Sequence, residues 1–231
     1  MRTAVVTGGT RGIGLAIARR LVADGFQVIA AARTEAALPA GVEFARLDIT
    51  EASAVREFFA GLPRIDALVN NAGLAGAQAL DGDDAAWHAI LATNLTGTWL
   101  CCKAALPVLP ERTGRIVNIA SVLGLRGVPD QPAYCAAKHG VIGLTRSLAL
   151  AAAPRGITVN AVCPGWVETE MAASRFAELG ITAEQAAAGV PTGRIATAWE
   201  VADTVAFLAR AGAGSITGQA IVVDGGTTVR A

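Results

Sequence analysis

The sequence has little cysteine and histidine. Its 231 residues include 4 Cys and 2 His, and no two cysteines have the Cys-x-x-Cys spacing of common zinc sites. Only His88 and His139 are present as histidine ligands, so we expect no metal site. The four cysteines are expected to be reduced and mostly packed in the interior, namely Cys101, Cys102, Cys135 and Cys163.

The sequence also lacks an excess of either charge and any long apolar run. Acidic and basic residues balance at 19 each, which argues against nucleic acid or an anionic membrane surface as a partner and favours a small ligand. No apolar stretch approaches the roughly 20 residues that span a bilayer, and no signal-like segment precedes residues 3–7. We therefore expect a cytoplasmic protein with one α/β domain over residues 1–231.

Glycines follow the first predicted strand, which covers residues 3–7. The stretch Thr7-Gly8-Gly9-Thr10-Arg11-Gly12-Ile13-Gly14 leads into a helical pattern that begins at Leu15. Glycines allow the backbone to approach a pyrophosphate closely, and a helix N-terminus offers it free N–H groups. Tight turns also need glycine, so it is the flanking strand and helix that favour a nucleotide site.

Tyr134 and Lys138 are one helical turn apart in an apolar helical pattern that runs until Pro154. A nearby cation favours the phenolate, so this spacing predicts a Tyr134 whose pKa is lowered and which exchanges a proton with a substrate oxygen. The alternative is a surface helix on which the pair has no function. His139 follows Lys138 directly and is expected to point away from Tyr134.

The order of these patterns resembles the short-chain dehydrogenase/reductase family. Besides the glycine turn and the Tyr-x-x-x-Lys pair, the matching residues are Asn70-Asn71-Ala72-Gly73, Asn94, Ser121 and Pro164-Gly165. The resemblance covers essentially the whole chain. Strands and helices alternate throughout, which by itself predicts a doubly wound parallel sheet of the Rossmann type.

The resemblance implies four catalytic residues. Ser121 would bind the substrate carbonyl, and Tyr134 would donate a proton to it. Lys138 would lower the pKa of Tyr134 and hold the ribose hydroxyls. Asn94, expected in the same helix as Trp87 and Leu100, would hold a water that links Lys138 to solvent.

Cofactor contacts are also implied by the resemblance, for Gly8, Thr10, Arg11, Gly12, Ile13, Gly14, Arg33, Thr34, Asp48, Ile49, Asn71, Ala72, Gly73, Tyr134, Lys138, Pro164, Gly165, Val167 and Thr169. Two of them carry specific expectations. Asp48 either contacts the adenine or is the N-cap of the helix that follows it. Thr169 would bind the carboxamide or the pyrophosphate.

The expected cofactor is NADPH, with NADH less favoured. No acid follows the second predicted strand, where one would bind the ribose hydroxyls of NADH, and Arg33 stands there instead. A guanidinium binds a 2′-phosphate through paired, charge-assisted hydrogen bonds. Arg11 either assists Arg33 in binding the 2′-phosphate or is a solvated surface residue.

Substrate and assembly follow from the resemblance as well. Lys138-His139-Gly140-Val141 and the run from Ile157 to Ala173 resemble β-ketoacyl reductases and aromatic polyketide ketoreductases. The resemblance implies reduction of a small-molecule carbonyl, free or bound to a carrier protein or CoA. The alternatives are a hydroxyacyl-CoA or secondary-alcohol dehydrogenase working oxidatively and a nucleotide-sensing protein. A helical lid is expected over residues 170–195. A homotetramer is expected from the apolar helices at 87–109 and 135–153.

Overall fold

The computed structural model describes residues 2–78, 80 and 84–230. The strands are β1 Arg2–Thr7, β2 Phe26–Ala32, β3 Val42–Arg46, β4 Ala67–Asn70, β5 Arg115–Ile119, β6 Thr158–Pro164 and β7 Ala220–Val223. The helices are α1 Gly12–Ala23, α2 Ala52–Ala60, α3 Ala85–Leu91, α4 Thr98–Ala105, α5 Pro132–Ala152, α6 Glu170–Leu179, α7 Ala183–Ala188 and α8 Ala198–Leu208.

All seven strands form one parallel sheet in the order β3-β2-β1-β4-β5-β6-β7. The central strands are covered by helices on both faces of the sheet. Since successive side chains point to opposite sides of a strand, each central strand packs against both layers of helices. In β1, Val6 packs on the side of α1 and α8, whereas Val5 packs on the side of α2, α4 and α5. The predicted doubly wound Rossmann-type sheet is confirmed.

The strand order reverses between β1 and β4, since the chain builds outward from β1 to β3 and then returns to the other side of β1. Ligands of open parallel sheets bind in the crevice at the carboxyl ends of the strands beside such a reversal. The loops that follow β1, β4, β5 and β6 all leave that edge, so the fold brings the predicted site residues together.

The predicted helix through Trp87, Asn94 and Leu100 is confirmed, but its winding is not uniform. The chain is helical from Ala85 to Ala105 as α3, a π-helical turn at Ala92–Gly97, and α4. Close packing accompanies the wider turn, because a Cβ added at Gly97 would lie 2.7 Å from Ile49 Cδ1. Apolar spacing does not distinguish one extra residue per turn, whereas π-helical turns are frequent at functional sites.

The segment expected to form a lid contains α6 and α7. Gly180 is the C-cap of α6, with a φ of 65°. Thr182 is the N-cap of α7 and forms a capping box with Gln185. Phe176 packs with Val190 and Ile195 in a small apolar cluster of this segment's own. The helical character is as predicted, while the role of a lid stays a prediction. Within the described residues, no helix combines the length and apolar character needed to cross a bilayer.

Candidate active site

The glycine turn between β1 and α1 is held by close packing. A Cβ at Gly14 would lie 2.1 Å from Gly8 O and 2.5 Å from Asn71 Nδ2, so only glycine fits. Gly8 and Gly12 have φ angles of 63° and 52°, which favour glycine. Thr10 and Ile13 are half-buried in the same turn. Arg11 precedes α1 without a side-chain cap, which leaves the first N–H groups of the helix to a ligand.

Asn71 joins the loop after β4 to the glycine turn. Its Nδ2 donates to Thr7 O and Gly8 O, both at 3.1 Å. Thr7 Oγ1 accepts in return from the backbone N–H groups of Asn71 and Ala72, at 3.0 and 3.1 Å. Asn71 therefore shapes the turn through its side chain, which is a structural role as well as a position beside the predicted cofactor.

Asn70 lies in a buried polar network beneath the site. Its Nδ2 donates to Asn118 Oδ1 at 2.8 Å, and Asn118 Nδ2 donates to Thr145 Oγ1 at 2.9 Å. The network joins β4, β5 and α5 through the core. Sequence reasoning missed Asn118 and Thr145, although an Asn within the apolar run of β5 was a visible signal.

Asn94 uses both polar atoms of its side chain to hold the loop after β4. Its Oδ1 accepts from Leu74 N at 2.7 Å, and its Nδ2 donates to Leu74 O at 2.8 Å. Gly73 passes so close that an added Cβ would lie 3.3 Å from Asn94 Oδ1. These contacts explain a buried Asn in a helix, and the predicted water link to Lys138 stays a prediction.

At the outer end of the crevice, Arg33 and Thr34 follow β2 and are exposed. Arg46, which sequence reasoning missed, donates from Nη1 to Arg33 O at 2.9 Å. Arg11 lies elsewhere, paired with Glu170 at 3.4 Å in a largely exposed ion pair. Such pairs contribute little, so Arg11 remains available to a ligand.

Asp48 is not the N-cap of α2. That position is Glu51, whereas Asp48 Oδ1 accepts from Thr50 N at 2.9 Å and Thr50 Oγ1 at 2.8 Å. The Thr50 backbone hydrogen bond is the main cause that lowers the pKa of Asp48, and the charge of Arg33 contributes. The N-cap alternative was wrong, because Asp48 closes a turn three residues earlier. Ile49 places its side chain in the core.

Ser121, Tyr134 and Lys138 come together where β5 ends. Lys138 Nζ lies 5.5 Å from the centroid of the Tyr134 ring and donates to Ile119 O at 2.8 Å. Ser121 Oγ accepts from Leu123 N at 3.1 Å and is hydrogen-bonded to Tyr134. His139 is exposed on another side of α5, as expected. The sequence-predicted catalytic cluster therefore exists as a geometric unit.

We predicted that Lys138 lowers the pKa of Tyr134. That prediction was wrong, because the surrounding protein raises this pKa. Burial raises the pKa of Tyr134 to about 12, and the hydrogen bond with Ser121 opposes this only partly. Burial also lowers the pKa of Lys138 to about 8. Removal from water disfavours the charged form of each group, and it is the largest cause of both shifts. Tyr134 is thus a protonated phenol at neutral pH.

The turn after β6 packs against the last strand. A Cβ at Gly165 would lie 2.8 Å from Asp224 Cβ, which explains the glycine after the buried Pro164. Val167 is buried and forms a parallel bridge to Ala196. Thr169 Oγ1 accepts from Ala172 N at 3.2 Å, so its hydroxyl caps α6. Its expected contact with a cofactor stays a prediction.

A parallel doubly wound sheet with a glycine turn at its topological switch point, and a Ser, Tyr and Lys cluster beside it, defines a Rossmann-type oxidoreductase. The chain belongs to the short-chain dehydrogenase/reductase family. The family model described as enoyl-(acyl carrier protein) reductase matches residues 8–228. The resemblance inferred from the sequence motifs is confirmed.

Known relatives agree with this assignment over nearly the whole chain. The chain is 41% identical to a 3-oxoacyl-(acyl-carrier-protein) reductase from Haemophilus influenzae, over 97% of each sequence. It is 40% identical to 2-(S)-hydroxypropyl-CoM dehydrogenase 3 from Xanthobacter autotrophicus, over 96% of this chain and 95% of the other. A solved structure of an actinorhodin polyketide ketoreductase variant with NADPH matches at 39% identity with a TM-score of 0.90, over 98% of this chain and 97% of the other.

Proposed function

We propose that this protein reduces a ketone to a secondary alcohol with NADPH, using Tyr134 as the proton donor. The observation that carries the proposal is the cluster of Ser121, Tyr134 and Lys138 at the carboxyl edge of the sheet, beside the glycine turn. Ionisable groups with strongly shifted pKa values in a cleft are typical of active sites.

The residues around the crevice fit a dinucleotide. The N-terminus of α1 has no side-chain cap, and the nearest described atom to a Cβ added at Gly12 is Thr169 Cγ2, 3.8 Å away, so the backbone there suits a pyrophosphate. Lys138 uses one of its three N–H donors on Ile119 O and has two left for ribose hydroxyls. Arg33 would hold the 2′-phosphate. When bound, NADPH supplies the hydride.

The protein's own contribution is to orient the substrate and to supply one proton. Ser121 Oγ accepts from Leu123 N and keeps its own O–H donor, which would turn from Tyr134 to the carbonyl oxygen of a bound substrate. Tyr134, whose raised pKa keeps it protonated at neutral pH, then transfers its proton to the same oxygen. Lys138, buried beside the ring, stabilises the phenolate that results.

The proposed substrate is a β-ketoacyl thioester or a polyketide-like carbonyl, bound to a carrier protein or to CoA. Support comes from the relatives, of which one is named a 3-oxoacyl carrier-protein reductase and another a polyketide ketoreductase. The test is to measure initial rates against ketones and ketoacyl thioesters with NADPH and NADH. We expect the highest kcat/KM for a ketoacyl thioester with NADPH. NADPH binding without turnover of any ketone would favour a nucleotide sensor instead.

A second candidate is the oxidation of a secondary alcohol. One relative of similar identity is named a dehydrogenase, so the direction of the reaction needs its own test. Oxidation requires Tyr134 to accept a proton, and its raised pKa disfavours the phenolate at neutral pH. Rates of both directions near neutral pH decide between the two, and faster oxidation at equal saturation would contradict our proposal.

We further propose a homotetramer that covers apolar side chains on the outer helices. Leu150 is 78% exposed and Trp99 is 38% exposed, on the two helices expected to associate. Burying such residues between subunits removes them from water. Light scattering at micromolar concentration tests this, and a monomer would contradict it.

A further inference from the structure

Three segments meet in front of the helix that carries Tyr134. They are the loop at 71–78 after β4, the loop at 125–131 before α5, and the helix α6 after β6. Their parent strands are neighbours in the sheet, so the segments leave its carboxyl edge side by side.

Asp130 and Gln78 fix the start of α5. Gln78 N donates to Asp130 O at 2.8 Å, and Gln78 Oε1 accepts from Ala133 N at 3.0 Å. Gln131 provides no side-chain cap, and Pro132, the first residue of α5, has no N–H. Gln78 therefore caps α5 from a distant part of the chain, at the residue just before Tyr134.

Arg175 joins α6 to the same point. Its Nη2 donates to the carboxylate of Asp130, and its Nη1 donates to Glu178 Oε2 at 2.8 Å. The side chain of Arg175 is only 12% exposed, whereas that of Asp130 is 40% exposed. Arg175 is the main cause that lowers the pKa of Asp130. A largely buried guanidinium needs its partner, so this ion pair differs from a solvated surface pair.

We propose that Asp130 and Arg175 are positioning residues for the reaction. Their ion pair attaches α6 to the N-terminus of α5, where the hydrogen bond between Gln78 and Ala133 holds the residue before Tyr134. The pair sets the distance between the lid segment and the reactive phenol, and so shapes the substrate site. This inference rests on the proposed function. We expect a larger effect on the ketone than on the cofactor, because Arg175 and Asp130 are not among the expected cofactor contacts, although Thr169 at the start of α6 is one of them.

The variants are Arg175→Met, Asp130→Asn and the double variant. We expect each single change to lower kcat/KM for the ketone by on the order of ten- to a hundredfold, as for a lost charge-assisted hydrogen bond. The double variant should lose little more than either single one, since both break the same interaction. Arg175→Lys should recover part of the loss, and the control Glu178→Gln, which keeps the Asp130 pair, should be close to wild type.

Two further readouts separate positioning from general damage. The dissociation constant of NADPH, measured by fluorescence titration, should change less than about twofold, within ordinary surface effects. Chymotrypsin cleavage after the buried Phe176 should accelerate in Arg175→Met and Asp130→Asn but not in Glu178→Gln, because cleavage follows local opening. The cleavage assay needs no turnover, so it still tests the pair if the proposed ketone reduction fails.

Unchanged kcat/KM together with unchanged cleavage would overturn the inference. Equal losses of NADPH affinity and of ketone turnover would also overturn it, since they would show a general loss of structure. Additive losses in the double variant would mean that the two residues act separately, which contradicts a shared positioning role.

Discussion

The buried ammonium of Lys138 predicts a specific pH dependence of stability. Its pKa falls from the ordinary 10.5 to about 8 because of burial. Between these values the unfolded chain holds a proton at this site that the folded chain has released. The free energy of unfolding contributed by this group therefore rises with pH across that window and is lower at neutral pH. Lys138→Met removes the group and keeps an unbranched side chain.

The expected magnitude follows from the size of the shift. At about 1.4 kcal/mol per pKa unit, wild type should gain about 3 kcal/mol relative to Lys138→Met between neutral pH and pH 10.5. Lys138 is only 5% exposed, so solvent does not screen the effect strongly. The raised pKa values of Tyr134, Cys101 and Cys102 act in both proteins and largely cancel in the difference, whereas the pKa of Cys163 depends in part on the charge of Lys138.

The assay is urea unfolding of both proteins, without added cofactor, from about pH 7 to about pH 10.5. The control is Lys103→Met, which removes an exposed lysine on α4 and so accounts for the loss of one positive charge. A constant difference between wild type and Lys138→Met across this range would refute the argument from burial. So would a difference that moves in the opposite direction.

Further predictions concern the catalytic proton, the cofactor and the glycine turn. Tyr134→Phe should keep NADPH binding and lower kcat by about 10²–10⁴-fold, the usual range for a lost general acid, whereas near-normal turnover would exclude the mechanism. Arg33→Asp should reverse the preference for NADPH over NADH in kcat/KM, by on the order of ten- to a hundredfold in relative affinity, and an unchanged ratio would remove Arg33 from the 2′-phosphate site. Gly14→Ala should abolish NADPH binding and destabilise the fold by about 1–3 kcal/mol or more, because its Cβ would lie 2.1 Å from Gly8 O. Gly143→Ala in α5, where nothing lies within 4 Å, is the matched control in thermal unfolding and should be neutral or stabilising.

Local patterns were sufficient for the fold and for the spacing of the candidate site. The alternation of short apolar runs with helical patterns predicted the parallel sheet, because strand and helix periods are properties of the chain itself. The placement of Tyr134 one turn before Lys138 follows from the pitch of α5 alone. The glycine turn was likewise predictable, since its conformation depends on residues next to each other in the sequence.

Tertiary structure alone decided the features that depend on distant residues. Gln78 caps α5, and Arg175 reaches Asp130, across separations that no local pattern reveals. The helix around Asn94 was predictable from the sequence, whereas the π-helical winding at Ala92–Gly97 was not.

The pKa of Tyr134 was predicted in the wrong direction for a similar physical reason. The spacing to Lys138 shows only that an opposite charge is near the phenolate, whereas the pKa also depends on how much water the whole fold removes. Asp48 illustrates the same limit. Whether it accepts a hydrogen bond from Thr50 or caps α2 depends on the course of the chain after β3. The sequence by itself therefore determined which groups are available, and the packing of distant segments determined their charge states and partners.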